Sequence, residues 1–122
     1  MPKPIIIVDD EAPIRELLAE YLGGHGYRVM TFAAASEAER AAQAEAPRLI
    51  ISDLQLEESD GLEMIARLKA ALPETPIILL TGVLFDPEVV RTTISQKVSA
   101  YLEKTSSLGR ILEEVRRLAG PP

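Results

Sequence analysis

The chain has 122 residues, a formal net charge of −6 and no cysteine. This is the length of a single domain, and the lack of cysteine excludes a disulfide framework, a thiol nucleophile and a thiolate metal site. The acidic charge disfavours direct binding to nucleic acid. The longest apolar runs have four residues, whereas a membrane span needs about 20, and the N-terminus lacks a signal-peptide core. We therefore expect a cytoplasmic protein without membrane contact.

Short β-branched runs alternate along the chain with segments of helical spacing. The predicted strands are Ile5–Val8, Arg28–Phe32, Leu49–Ser52, Ile77–Leu80 and Val98–Leu102. The five predicted helices begin near Pro13, at a capping box Ser36-x-x-Glu39, after Gly61, at Asp86-Pro87 and at Ser106 or Ser107. Five successive strand–helix units predict an α/β fold with a parallel sheet covered on both faces. The expected architecture is a flavodoxin-like, doubly wound, three-layer α/β/α domain with strand order 2-1-3-4-5.

Ionisable and hydroxyl side chains follow four of the five predicted strands. Asp9-Asp10-Glu11 follows the first strand, Asp53 the third, Thr81 the fourth and Lys104 the fifth. Parallel strands end at one edge of the sheet, which is where open α/β folds bind ligands. Two carboxylates about 5 Å apart repel by roughly 3 kcal/mol at an effective dielectric constant of 20. The cluster therefore calls for compensation by the Lys104 ammonium and by a hard divalent cation such as Mg²⁺.

The ordered set of Asp9-Asp10, Asp53, Thr81 and Lys104 resembles the phosphoacceptor site of two-component response regulator receiver domains. Three further segments carry the same resemblance: Ile50-Ile51-Ser52-Asp53-Leu54, Leu80-Thr81-Gly82 and Tyr101-Leu102-x-Lys104. The resemblance implies a receiver domain over residues 3–118, with residues 119–122 as a tail or the start of a linker.

The resemblance also implies a role for each site residue. Asp53 would be the phosphoacceptor, and Thr81 and Lys104 would bind the phosphoryl group. Mg²⁺ would be the cofactor. Its ligands would be Asp10, Asp9, Asp53 and the backbone carbonyl of Gln55. Tyr101 would be an aromatic switch coupled to Thr81.

The implied function is signalling rather than enzymatic, since such a domain catalyses only its own phosphotransfer and dephosphorylation. The implied partner is a sensor histidine kinase or a phosphotransfer protein. The surface formed by the fourth predicted helix, the fifth strand and the fifth predicted helix would change on phosphorylation, and a homodimer could form through it.

Three of the departures from the family pattern leave a second interpretation open. Glu57 and Thr105 stand where the family usually has proline, and the segment around Val83-Leu84-Phe85 makes the interval from Thr81 to Lys104 about one residue longer than usual. These departures motivate the alternative of a pseudo-receiver, an interaction module that works without phosphorylation.

Two enzyme hypotheses and one purely structural interpretation have less support than a receiver domain. A flavin binder would need a phosphate-binding loop after the first strand, where Asp9-Asp10-Glu11 would repel phosphate. An aspartate-based phosphatase would need an acid where the chain has Gln55. Asp9-Asp10 alone could be a solvated helix-capping turn, and Glu11 is read as a solvated loop charge.

Overall fold

A computed structural model describes residues 3–53, 61–82 and 98–122. It contains a five-stranded parallel sheet in the order β2-β1-β3-β4-β5, so the predicted fold class and strand order are confirmed. The strands are β1 (Ile5–Val8), β2 (Val29–Phe32), β3 (Leu49–Ser52), β4 (Ile77–Thr81) and β5 (Ala100–Glu103). Strands β1, β3 and β4 are buried along their whole length, as expected for strands that are covered by helices on both faces.

Four helices lie within the described residues and cover both faces of the sheet: α1 (Ala12–Gly24), α2 (Ala35–Glu45), α3 (Gly61–Ala71) and α4 (Leu108–Ala119). Helices α1 and α4 pack on one face through apolar side chains such as Leu22 and Val115. Helices α2 and α3 pack on the other face through Ala38 and Ile65. None of the helices within the described ranges is both long enough and apolar enough to cross a membrane.

The register of the sheet brings the strand ends to one edge. Val8 at the end of β1 pairs with Phe32 of β2 and with Ser52 of β3. On the other side of β3, β4 pairs with β5 so that Thr81 lies opposite Glu103. The residues that follow these strands are therefore neighbours at the carboxyl edge of the sheet.

Several local predictions differ from the structure. The strand predicted at Val98–Leu102 instead runs from Ala100 to Glu103; the chain bends at Ser99, whose N–H donates to the Ile77 carbonyl at 2.7 Å. The predicted capping box at Ser36 is wrong, since α2 begins at Ala35 and its N-cap is Ala34, which makes no side-chain cap. Burial of Ala35, Ala38 and Ala42 sets that start. The helix predicted from Asp86-Pro87 lies outside the described residues.

The other edge of the sheet, at the amino ends of the strands, is held by the C-terminal residues. The Tyr27 hydroxyl donates to the Gly120 carbonyl at 2.6 Å, and Arg48 donates to the Pro121 carbonyl at 2.9 Å. The Arg48 guanidinium also lies 5.6 Å from the centre of the Tyr27 ring, within cation–π range. Pro122 packs closely against Gly26, so residues 120–122 are in contact with the domain.

Candidate functional site

Two aspartates lie side by side where β1 and β3 end. The Asp9 N–H donates to the Phe32 carbonyl at 3.1 Å, and the Asp53 N–H donates to the Val8 carbonyl at 2.9 Å. Both bonds extend the sheet ladder by one residue, so each aspartate backbone is as fixed as the strand before it. Asp9 is 2% exposed and Asp53 is 4% exposed. The carboxylates are therefore buried neighbours, as the strand pattern predicted.

Lys104 reaches both carboxylates from the end of β5. Its Nζ lies 2.9 Å from Asp53 Oδ2 and 3.0 Å from Asp9 Oδ2. The Lys104 backbone N–H donates to the Thr81 carbonyl at 2.9 Å, which anchors the base of the side chain to β4. The predicted convergence of Asp9, Asp53 and Lys104 is therefore present.

The charges of this cluster disturb one another. Burial raises the pKa of the Asp9 carboxyl above its usual value, and the Glu11 N–H and Lys104, which act in the opposite direction, compensate only in part. Burial by itself would lower the pKa of Lys104, but hydrogen bonds to Asp53 and Asp9 outweigh it and raise that pKa above its usual value. Lys104 therefore stays charged, whereas the charged form of Asp9 is energetically unfavourable in the folded chain.

The acidic side of the cluster has the composition and spacing of a cation site. One carboxylate oxygen from each of Asp9, Asp10 and Asp53 lies within 4.8 Å of the others. Asp10 is exposed, so water can reach the cluster from its side. Three carboxylate oxygens are suitable ligands for a hard divalent ion that keeps part of its water shell. These residues therefore fit a metal ion, whereas the predicted ligand Gln55 lies outside the described residues.

Thr81 and Tyr101 lie on the same face of the sheet. Leu79 pairs with Tyr101, so these two side chains lie on the same face of the sheet. Thr81 is two residues after Leu79, and side chains two residues apart on a strand share a face. Thr81 and Tyr101 therefore lie on one face. Thr81 is fully buried, and Tyr101 is half-buried against the apolar cluster that α2 and α3 share. A cavity of about 190 Å³ opens beside the cluster; it is lined by Thr81, Gly82, Glu103, Lys104 and Thr105.

Three contacts at the site were not predicted. Glu11, interpreted from the sequence as a solvated loop charge, has its Oε2 3.2 Å from Lys104 Nζ. The Arg15 guanidinium donates to the Asp9 carbonyl at 2.6 Å, and the buried Ser52 hydroxyl donates to the Asp53 carbonyl at 2.8 Å. The position of Glu11 directly after Asp9-Asp10 was a usable signal, because the residue just before α1 lies at the same edge as Lys104.

The bond after Lys104 is where the sequence has Thr105 instead of the proline that is usual in the family. The described residues contain no cis peptide bond, so the bond between Lys104 and Thr105 is trans. Lys104 reaches Asp9 and Asp53 in this conformation. The absence of proline after Lys104 therefore leaves the cluster assembled.

Fold and site together define a class: a doubly wound sheet whose carboxyl edge carries an acidic pocket closed by one lysine. The sequence model of the response regulator receiver domain matches residues 5–116 of the chain. The chain therefore belongs to the response regulator receiver domain family of two-component systems. Receiver domains of this family are signalling domains that interact with histidine kinases.

Individual relatives agree with this assignment. The chain is 34% identical to the transcriptional regulatory protein GlrR of Escherichia coli over 103 residues, which are 84% of this chain and 23% of GlrR. It is 32% identical to the response regulator protein VraR of Staphylococcus aureus over 115 residues, which are 93% of this chain and 54% of VraR. The chain thus spans about a quarter to about half of the length of these relatives.

Solved structures show the same fold. A CheY-like receiver domain protein from Methanospirillum hungatei is 26% identical and superposes with a TM-score of 0.87 over 96% of this chain and 93% of that chain. The chemotaxis response regulator CheY4 of Vibrio cholerae is 27% identical, with a TM-score of 0.85 over 97% of this chain and 99% of that chain.

Proposed function

We propose that the chain accepts a phosphoryl group on Asp53, with Mg²⁺ as cofactor, from a sensor histidine kinase or a phosphotransfer protein in the cytosol. The contact between Lys104 and Asp53, 2.9 Å long and beside a second buried carboxylate, is the observation that carries the proposal. It supports a reactive carboxylate with a cation already next to the oxygens that would gain charge.

In the proposed step, an Asp53 carboxylate oxygen attacks the phosphorus atom of the donor. A new O–P bond forms as the P–N bond to the donor histidine breaks, and the leaving imidazole nitrogen keeps the electron pair. The backbone of Asp53 is held on both sides, by its N–H bond to Val8 and by the Ser52 hydroxyl on its carbonyl. A fixed nucleophile favours this reaction because positioning is most of the catalysis in phosphoryl transfer.

Lys104 and Thr81 are proposed to hold the transferred phosphoryl oxygens. The Lys104 ammonium is charged and only 11% exposed in its side chain, and in such surroundings a charge–charge contact is strong. Thr81 ends β4 directly opposite the strand that leads to Lys104. Its hydroxyl can donate to a phosphoryl oxygen.

Asp9, Asp10 and Asp53 are proposed to hold the Mg²⁺ ion, with Gln55 as a further ligand. When bound, the ion neutralises charge on the phosphoryl oxygens. The raised pKa of Asp9 supports a cation partner, because Lys104 alone leaves the charged form of that carboxyl disfavoured.

The proposed output is a change in the surface around β5. A phosphoryl dianion would attract the Thr81 hydroxyl, and movement of Thr81 would alter the packing of Tyr101 on the same face of the sheet. The half-buried position of Tyr101 supports this, since part of the residue is still exposed and can become more buried. A homodimer or a downstream partner would read this surface.

The test is to incubate the full chain with a small acyl-phosphate donor and Mg²⁺ and to measure the intact mass. We expect one added phosphoryl group on the wild-type chain and none on Asp53→Asn. Glu74→Gln, which removes an exposed charge on the loop before β4, is the matched control and should be modified as the wild type is.

The pseudo-receiver alternative makes the opposite prediction. An unmodified wild-type chain that nonetheless binds its partner, with Asp53→Asn binding equally well, would replace our proposal by that alternative. Modification that persists in Asp53→Asn would place the acceptor elsewhere and also overturn the proposal.

A further inference from the structure

Glu11 occupies the N-cap of α1 but does not cap it. Its backbone carbonyl accepts the N–H groups of Ile14 and Arg15, while its side chain makes no capping hydrogen bond. The residues preferred at the N-cap, such as Ser, Thr, Asp and Asn, have side chains short enough to bond to the first N–H groups of the helix, and glutamate is not one of them. The Glu11 carboxylate instead reaches Lys104, with 3.2 Å between Oε2 and Nζ.

This contact is an ion pair beside the two hydrogen bonds that Lys104 donates to Asp9 and Asp53. The Lys104 ammonium has three N–H donors, and within the described residues three carboxylates lie at 2.9, 3.0 and 3.2 Å from it, those of Asp53, Asp9 and Glu11. Phosphorylation turns the Asp53 carboxylate into an acyl phosphate whose phosphoryl oxygens extend beyond the present Lys104 contact, so Lys104 must turn away from another carboxylate to follow them.

The three carboxylates differ in how easily they can be displaced. The side chains of Asp9 and Asp53 are 3% and 5% exposed, whereas that of Glu11 is 58% exposed. A buried carboxylate that loses its cation is left without water or a partner, which is costly. Glu11 can turn into solvent, where water solvates its charge at once. Glu11 is thus the partner that can leave.

We propose that Glu11 is a positioning residue that holds Lys104 in the unphosphorylated state and must release it for the phosphoryl group to bind. This inference rests on the proposed function. The ion pair between Glu11 and Lys104 would then slow the phosphorylation of Asp53. Because the pair breaks during transfer of the phosphoryl group, it affects the rate of transfer rather than binding of the donor.

The expected effect of this ion pair on the rate of phosphorylation can be estimated from the exposure of Glu11. The Glu11 side chain is 58% exposed, and an ion pair with one partner largely in water contributes about 1 kcal/mol, which corresponds to about fivefold in a rate constant at about 1.4 kcal/mol per factor of ten. Removal of the Glu11 carboxylate should therefore accelerate phosphorylation by up to about fivefold.

Three variants separate the contact from simple charge. Glu11→Gln removes both the charge and the ion pair. Glu11→Asp keeps the charge near the site, but the shorter side chain favours the N–H groups of its own helix and loses Lys104. Glu103→Gln removes one carboxylate from the residue next to Lys104, where the side chain is exposed and bonds to Thr105, and leaves the ion pair intact.

The experiment measures the rate of modification of each full chain by a small acyl-phosphate donor at saturating Mg²⁺, as a function of donor concentration. We expect Glu11→Gln and Glu11→Asp to raise the maximal rate by up to about fivefold with little change in the half-saturating donor concentration. Glu103→Gln should leave the maximal rate near the wild-type value. A purely structural role of Glu11 would lower the maximal rate instead.

The outcomes distinguish this inference from the proposed function. If the wild-type chain is not modified at Asp53, the proposed function fails and the inference fails with it. If the wild type is modified but Glu11→Gln keeps the wild-type rate, the contact has no effect on the reaction; if Glu11→Gln and Glu103→Gln accelerate it equally, or Glu11→Asp behaves like the wild type, Glu11 acts through charge alone. The inference is then overturned while the proposed function stands.

Discussion

The two edges of the sheet differ in the interactions that they contain. At the carboxyl edge, Lys104 faces three carboxylates, and burial makes the charged form of Asp9 unfavourable. At the amino edge, Tyr27 and Arg48 each satisfy a backbone carbonyl of residues 120–121. The carboxyl edge therefore carries unfavourable electrostatics beside Asp53, whereas the amino edge contributes ordinary hydrogen bonds and packing.

This difference is the one expected if the carboxyl edge is the functional site that we propose. Functional sites often keep groups in unfavourable surroundings that the remainder of the fold must offset. Here the offset comes from the buried strands and from the amino edge. Substitutions at the two edges should then differ in size and even in sign.

The largest effect is expected for the cation at the carboxyl edge. Lys104→Met leaves Asp9 and Asp53 buried without their cation, and loss of one partner of a buried pair costs about 3 kcal/mol. Urea unfolding at neutral pH in a chelator measures this loss. Arg48→Met, which removes the cation at the amino edge, is the control and should cost about 1 kcal/mol. Equal losses would contradict the comparison.

A smaller effect is expected from backbone strain at the amino edge. Gly26 has a φ of +98°, and a Cβ there would lie 3.2 Å from Pro122. Gly26→Ala should lower the free energy of unfolding by about 1–2 kcal/mol. The matched control is Gly109→Ala in α4, where a Cβ meets nothing within 4 Å. Gly109 lies in the first turn of α4, so that change should be neutral or stabilise the chain by up to about 0.5 kcal/mol, and a destabilised control would show that the argument from space and φ is wrong.

The smallest effect has the opposite sign and depends on pH. The Asp9 pKa is raised in the folded chain by burial, so the unfolded chain releases that proton first and the wild type loses stability as pH rises through the folded-state pKa. Asp9→Asn keeps the acceptor for the Glu11 N–H but removes the charge. We expect it to unfold at a slightly higher temperature than the wild type near neutral pH in a chelator.

Two further conditions sharpen this prediction. The advantage of Asp9→Asn should shrink as pH falls toward the ordinary aspartate value of about 3.9, because both chains are then neutral at this position. Added Mg²⁺ should also reduce the advantage, since an ion held by the carboxylates, as proposed, would stabilise the wild type. A variant less stable than the wild type at neutral pH would mean that Asp9 contributes net stability.

The sequence predicted most of the fold because its signals are local and repeated. Buried parallel strands are short apolar runs, and each is followed by a helix with its own stop signal. The predictions failed where tertiary packing competes with a local motif. Ser36 matches a capping box, but the buried alanines of α2 start the helix at Ala35.

The sequence by itself determined the strand order, the residues at the carboxyl edge and their identification with a receiver domain. These depend on alternation along the chain and on which residue types follow each strand. Only the tertiary structure decided that Glu11 contacts Lys104 and that residues 120–122 pack on Tyr27 and Arg48. Contacts of this kind join residues distant in sequence, and their distances and burial arise only when the chain is packed.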